Sequence, residues 1–288
     1  MTIIDKLIQL DRTTPRRILV VGDPMTDIYI NGRLEDTCQE GCSKFIEVDK
    51  ISVPGGASNA SRSLSHWYTQ VRFPFCNLTG PVKTRFMVSD KCVFRYDHDT
   101  CDFVDSRFAQ ESSIKLITSS WAEGVLISDY DKGFLSEEFI REVIDLCSDR
   151  GIPCVSDVKR HPDVYKWSII KCNADWNSKY VEDRWNEKVV SGWVLTLGSN
   201  QCVVNLSGKY DDTHLCGFID PVDCVNHVGA GDCFSAHLTL ALTHGFSLKE
   251  SAEIAHSAGR VYVQEKYNTP PHLDKIKLDM THEKQSTQ

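Results

Sequence analysis

The chain has 288 residues, 41% hydrophobic and 25% charged, with a formal net charge of −8. That is the composition of a globular protein with a substantial core, and its acidic balance argues against nucleic acid or an anionic membrane as the main partner. The longest apolar runs, Ile18 to Val21 and Gly192 to Leu197, are too short to span a bilayer, and Asp5 and Asp11 stand where a leader peptide would be apolar, so a cytoplasmic protein is expected.

Twelve cysteines include no CxxC pair, the nearest spacing being Cys38 with Cys42, and the histidines form no HExxH pattern. The cysteines read as reduced, small hydrophobic residues, and no protein metal site is expected.

In chain order, the apolar strand Ile18–Val21 ends at Gly22-Asp23, with Asp27 shortly beyond its carboxyl end, where parallel sheets collect ligands. Residues 28 to 53 alternate as strands of a small sheet around a turn at Asn31-Gly32, and Pro54-Gly55-Gly56-Ala57-Ser58-Asn59 opens a helix through Leu64 and Trp67. A hairpin follows from Arg85–Ser89 and Cys92–Asp97, turning at Asp90-Lys91. From about residue 111 strands alternate with helices: Gly124–Ser128, Cys154–Asp157, Ile169–Cys172, Trp193–Leu197 and Cys202–Asn205 predict a mostly parallel sheet covered on both faces. Ser136 starts a helix that runs to Cys147, and Gly151 ends the region. Phe234, Leu238, Ala241 and Leu242 form an apolar helical stripe that stops at Gly245, Ser247 to Glu250 is a capping box, and the polar tail beyond Lys275 is expected to fray.

The run Val225-Asn226-His227-Val228-Gly229-Ala230-Gly231-Asp232 carries the most chemistry. It reads as a strand end joined through glycines to a helix start, where free N–H groups favour an anion and Asp232 is available to accept a proton from a hydroxyl attacking a phosphorus. Taken alone, the same pattern also fits a plain turn before a helix.

Several motifs in order resemble the ribokinase-like (PfkB) carbohydrate kinases: Val20 to Asp27, Pro54 to Asn59, Leu126 to Gly133, and Val228 to Asp232. Fainter matches are Lys83 with Arg85, Arg95 with Asp97, and Ser156 to Lys159. Together they cover roughly residues 16 to 272. Within the family the chain is most similar to the kinases that act on heptose 7-phosphate in ADP-heptose synthesis. The resemblance implies a three-layer α/β/α domain over residues 1–275, with a mostly parallel central sheet, a small β-sheet lid from about 28–53 and 85–97, and a polar tail from 276 to 288. It assigns Gly229, Ala230, Gly231 and Asp232 to the anion hole and general base, and Asp27, Gly55, Gly56 and Asn59 to sugar hydroxyls. Arg85, Arg95, Lys132 and Lys159 are the cations available to phosphates. Asp129 with Lys132 either touches the substrate or forms its own pair. Lys159, Asn173, Thr196, Gly198 and His256 fall where the family binds nucleotide.

Two departures stand out. Asn226 and His227 occupy the region where the family has an acidic residue, and the Asn-x-x-Glu motif reads Asn173-Ala174-Asp175-Trp176, its glutamate replaced by tryptophan. A helix-and-strand unit expected between Gly80 and Pro81 is also missing. The implied activity is transfer of the ATP γ-phosphate, with Mg²⁺, to the anomeric hydroxyl of D-glycero-D-manno-heptose 7-phosphate, by a homodimer joined through its lid sheet. The alternatives are a degenerate kinase that binds or regulates with little turnover, and a kinase for a non-phosphorylated sugar or a nucleoside.

Overall fold

The computed structural model describes residues 1–35, 38, 40–75, 80–99, 106–175, 192–206 and 212–286, with side chains to residue 281. Helix α1 (Ile3–Thr13) begins with a capping box between Thr2 and Asp5 and buries Ile4 and Leu7. Strand β1 (Arg17–Gly22) leads at once into β2 (Pro24–Glu35), which pairs with β3 (Lys44–Gly55); α2 (Gly56–Ser63) and the short β4 (Gln70–Arg72) follow. A hairpin of β5 (Val82–Val88) and β6 (Lys91–His98) precedes α3 (Ser106–Thr118), β7 (Gly124–Ser128), α4 (Glu137–Arg150), β8 (Cys154–Asp157), a 3₁₀ turn at Pro162–Tyr165 and β9 (Ile169–Asn173). The chain closes with β10 (Gly192–Thr196), β11 (Cys202–Asn205), β12 (Thr213–Cys216), α5 (Ala230–Thr243), α6 (Leu248–Val263) and α7 (Leu273–Ser286).

Eight strands form one sheet in the order β12-β11-β10-β9-β8-β7-β1-β4, and four form a second, β3-β2-β5-β6. The large sheet is parallel from β4 to β10 and antiparallel only at β11 and β12. Its strands are apolar on both faces, as a covered parallel sheet requires. Ile18, Val20, Leu126, Val155 and Val194 face α1, α2, α5, α6 and α7, whereas Leu19, Val21, Val125, Ile127, Ile170 and Leu195 face α3 and α4. This is a mostly parallel α/β sandwich with a small separate sheet, as the motif order implies. Among the described residues no helix is long and apolar enough to cross a membrane.

Several local expectations are corrected. Asn31-Gly32 is no turn; the pairing of β2 with β3 slips there as a bulge, and β2 runs on to Glu35. A side chain at Gly32 would meet the Ile46 carbonyl and the Phe45 ring, so a glycine suits the bulge. The second hairpin turns at Ser89-Asp90, both left-handed with φ of 48° and 63°, one residue earlier than expected. Helix α2 ends at Ser63, short of Trp67. Residues 217–229 before the glycine-rich motif are irregular, so the motif follows a loop and not a strand end. The expected stripe on α5 is a helix buried almost all round, because α2 and α6 pack on either side of it. The tail beyond Lys275 is helical, held by the buried Ile276 and Met280.

Candidate active site

Gly229 caps the start of α5 at φ 83°, and Asp232 stands in the first turn. A Cβ at Gly229 would lie 2.4 Å from Asn59 Nδ2 and 2.5 Å from the Tyr262 hydroxyl, so the backbone turns in a space only glycine fits. The Asn59 amide donates to the Gly229 carbonyl at 3.2 Å, to Asp232 Oδ2 at 3.1 Å and toward the Tyr262 hydroxyl at 3.1 Å. The Tyr130 hydroxyl donates to Asp232 Oδ1 at 2.6 Å. Asp232 is 2% exposed, and burial pushes its carboxyl up to about 7; the Asp157 carboxylate adds to the rise, while the bonds from Tyr130 and Asn59 and the charge of Lys171 oppose it. A carboxyl poised near neutrality at the head of a helix can take a proton from a hydroxyl, and the amides beside it can face an anion.

Beneath this turn lies a buried ion pair. Lys171 Nζ donates to Asp157 Oδ2 at 2.9 Å, and Ser235 Oγ donates to the same oxygen at 2.9 Å. A Cβ at Gly231 would come within 2.9 Å of Lys171 Nζ, which places the ammonium directly against the glycine-rich backbone. Sequence reasoning missed Lys171, although a lysine inside the apolar strand β9 is a visible anomaly.

On the small-sheet side, Asp27 and Arg85 form a buried pair at 2.6 Å, and Asn268 Nδ2 donates to the other Asp27 oxygen at 3.0 Å. Gly55 leaves the room that the Asp27 carboxylate fills, and Gly56, at φ 53°, lets the chain enter α2 against Met25 and the Asp23 carbonyl. Asn268 was missed as well; the turn-like run Asn268-Thr269-Pro270 was the available signal, and the residue does take a left-handed backbone.

The expected residues divide as follows. Asn59 is fully buried and directed at Asp232, so it orients the carboxylate where direct sugar contact was expected. Asp129 and Lys132 do not pair: Asp129 is fully buried, accepts from Tyr165 at 2.6 Å and pairs with Arg160 at 2.9 Å, while Lys132 reaches Asp99 at 2.7 Å. With its oxygens turned to the protein, Asp129 is withdrawn from a ligand. Arg95 pairs with Asp97 on its own strand and stays half-exposed. Lys159 lies over the Tyr130 ring, 5.3 Å from its centroid, as Lys83 does from the small sheet at 5.9 Å. Burial lowers the Lys83 ammonium, and the like charges of Arg95 and Lys132 lower it further. Lys83 and Lys159 thus share the Tyr130 ring, and Arg95 and Lys132 lie close enough to Lys83 to repel it.

The other side of the glycine-rich turn opens into a cavity of about 460 Å³ that brings Thr196, Gly198, Gly231 and His256 together. Ala230 and His227 also line it. Asn173 pairs with Thr196 across neighbouring strands at the rim. Burial lowers the His256 imidazole, and its Nε2 has no protein partner among the described residues. Trp176 lies outside the described residues. A hollow of about 560 Å³ between α3 and α4 contains none of the expected residues.

For a divalent cation, the described residues offer no set of three ligands near the glycine-rich turn; the set they offer is Cys38, Glu40 and Cys42 on the small sheet's loop. Among the described residues Asp157 Oδ1 has no hydrogen-bond partner, but the Lys171 and Lys159 ammoniums flank that carboxylate.

Residues 172–275 match the family model described as pfkB family carbohydrate kinase. The "Bifunctional protein HldE" of Sulfurimonas denitrificans is 26% identical over 301 residues, covering 87% of this chain and 61% of its own length. The protein of that name from Helicobacter pylori strain G27 is 24% identical, covering 93% and 68%. The chain therefore spans about three-fifths to two-thirds of these relatives. Among solved structures, phosphofructokinase-2 from Escherichia coli in complex with potassium superposes with a TM-score of 0.71 at 14% identity, covering 93% of this chain and 99% of that one. Ribokinase from Arabidopsis thaliana complexed with ribose and ATP gives 0.67 at 16% identity, over 93% and 99%. These likenesses establish a ribokinase-like fold.

Proposed function

We propose that this chain, a carbohydrate kinase of the pfkB family, transfers the γ-phosphate of ATP to a hydroxyl of a sugar phosphate, and that the acceptor is the anomeric hydroxyl of a heptose 7-phosphate. The observation that carries the reading is Asp232: a carboxyl held near neutrality at the start of α5, with a nucleotide-sized cavity on one side and a cation-rich small sheet on the other. Asp232 accepts the proton of the attacking hydroxyl, and the Gly229-to-Asp232 amides, with Lys171 behind them, face the charge that gathers on the transferring group. Mg²⁺ carried on the ATP phosphates supplies further neutralisation there. Thr196, Gly198 and His256 line the nucleotide side, the His256 Nε2 being available to the base. Asp27, Gly55 and Arg85 bound the sugar side, and the crowded Lys83, Arg95 and Lys132 gain from an acceptor that brings its own phosphate. The choice of heptose rests on the named relatives and the motif resemblance.

The test is Mg²⁺-dependent ADP release against a panel of sugar phosphates. Wild-type protein turns over heptose 7-phosphate, whereas Asp232→Asn loses turnover by about a thousandfold or more with ATP binding retained. Unchanged turnover in that variant removes the base assignment. Binding of ATP and sugar without turnover of any acceptor selects the degenerate reading, which the tryptophan at position 176 favours.

A further inference from the structure

The residue that meets Asp232 most closely is Tyr130, and the kinase reading alone gives it no task. Its hydroxyl donates to Oδ1 at 2.6 Å while Asn59 holds Oδ2, so the carboxylate has a donor on each oxygen and is closed to bulk water. This placement is built into the fold. Asp23 accepts the Tyr130 amide at 2.7 Å and the Phe134 amide at 3.1 Å, and Asp129 accepts the Asp131 amide at 2.8 Å, so two buried carboxylates fix the segment on which Tyr130 sits. The ring is covered by the Lys83 and Lys159 ammoniums, one from the small sheet and one from the end of β8.

A general base must be within hydrogen-bond reach of the hydroxyl it activates. Since Asn59 also clamps the Gly229 carbonyl, Oδ1 is the oxygen that an acceptor has to win, and Tyr130 stands on it. Resting on the base assignment above, we propose that Tyr130 is a positioning residue that keeps Asp232 engaged until a sugar hydroxyl replaces its own, and so denies the base to water. The step it suppresses is hydrolysis: a water oxygen bonds to the γ-phosphorus, the bond to the β-bridging oxygen breaks, ADP leaves, and the proton of the water passes to Asp232. In sugar phosphorylation the acceptor oxygen makes that bond instead. A phenylalanine at 130 keeps the ring against both lysines but leaves a buried carboxylate oxygen short of a donor beside a space of hydroxyl size, a site that recruits water.

The test needs no acceptor: ADP release from Mg²⁺-ATP alone is measured at pH 8.5, with melting temperature confirming the fold. Tyr130→Phe raises release by about tenfold or more over wild type, and Tyr130→Phe/Asp232→Asn returns it to the wild-type level. Tyr130→Leu, assayed in parallel, gives the same rise and decides the question where the phenylalanine variant is poorly folded. Release no higher than wild type in either single variant overturns the role of Tyr130 and leaves the base assignment standing on its own test. A rise that survives in the double variant shows that Asp232 does not activate the water, and overturns both.

Discussion

Gly229→Ala is the most exacting test of how the glycine-rich turn is built. The residue sits at φ 83°, where a side chain costs about 1–2 kcal/mol. The added methyl also meets Asn59 Nδ2 and the Tyr262 hydroxyl, at 2.4 and 2.5 Å, and neither can retreat into solvent because both are buried. Displacing the Asn59 amide strips donors from the Gly229 carbonyl and Asp232, and one such buried group left unpaired costs about 1–3 kcal/mol. Together the loss is about 2–5 kcal/mol in stability, read from the urea midpoint at unchanged slope. Because Asn59 also aims Asp232, ADP release in the presence of acceptor falls by about a hundredfold. Gly231→Ala is the matched control: its backbone is not left-handed and its methyl meets a single neighbour, the Lys171 ammonium at 2.9 Å, so the conformational cost is absent and its stability loss is the smaller. A Gly229→Ala protein with wild-type midpoint and turnover refutes the reasoning.

Two further outcomes follow from the same site. Because burial raises the Asp232 carboxyl to about 7, the base is protonated below that pH; kcat/KM climbs toward a plateau above about pH 7, and a profile still flat at pH 5 contradicts the assignment. Removing Arg85 leaves Asp27 as an uncompensated buried charge, so Arg85→Met lowers stability by about 3–5 kcal/mol in thermal or urea unfolding, while Asp27→Asn/Arg85→Met loses less; equal losses argue against the pair.

The strands of the large sheet were legible because short apolar runs end at polar or glycine residues, and three of the five expected after residue 111, Gly124–Ser128, Cys154–Asp157 and the antiparallel Cys202–Asn205, appear with the expected ends. The helix caps at Ser136 and Ser247 were legible for the same local reason. The turns of the small sheet were not. Asn31-Gly32 carries a hairpin signature, but pairing with β3 over the whole of β2 outweighs a local turn preference. At the site, the glycine-rich turn and the cavity residues Thr196, Gly198 and His256 were legible from motif order. The roles of Asn59, Asp129, Lys171 and Tyr130 were not, because each depends on a partner between 14 and 173 positions away. Sequence spacing carries no record of such distances.

The way the small sheet leaves the large one limits how it can move. Strand β2 departs immediately after β1, β3 returns directly into α2, and β5 enters at Pro81; these three crossings among the described residues crowd around Pro24, which bridges to Gly56 and whose carbonyl would collide with a side chain at Gly80. The Thr26 amide ties β2 to the Pro81 carbonyl at 2.9 Å in the same corner. Asn268 adds a second tie, to Asp27 and to the Tyr29 hydroxyl, so the sheet is held along the base of β2 and its freedom to swing is greatest at the far turn, Ser89-Asp90. The Lys266–Asp90 contact there is an exposed ion pair of small worth, and it sets little resistance to that swing.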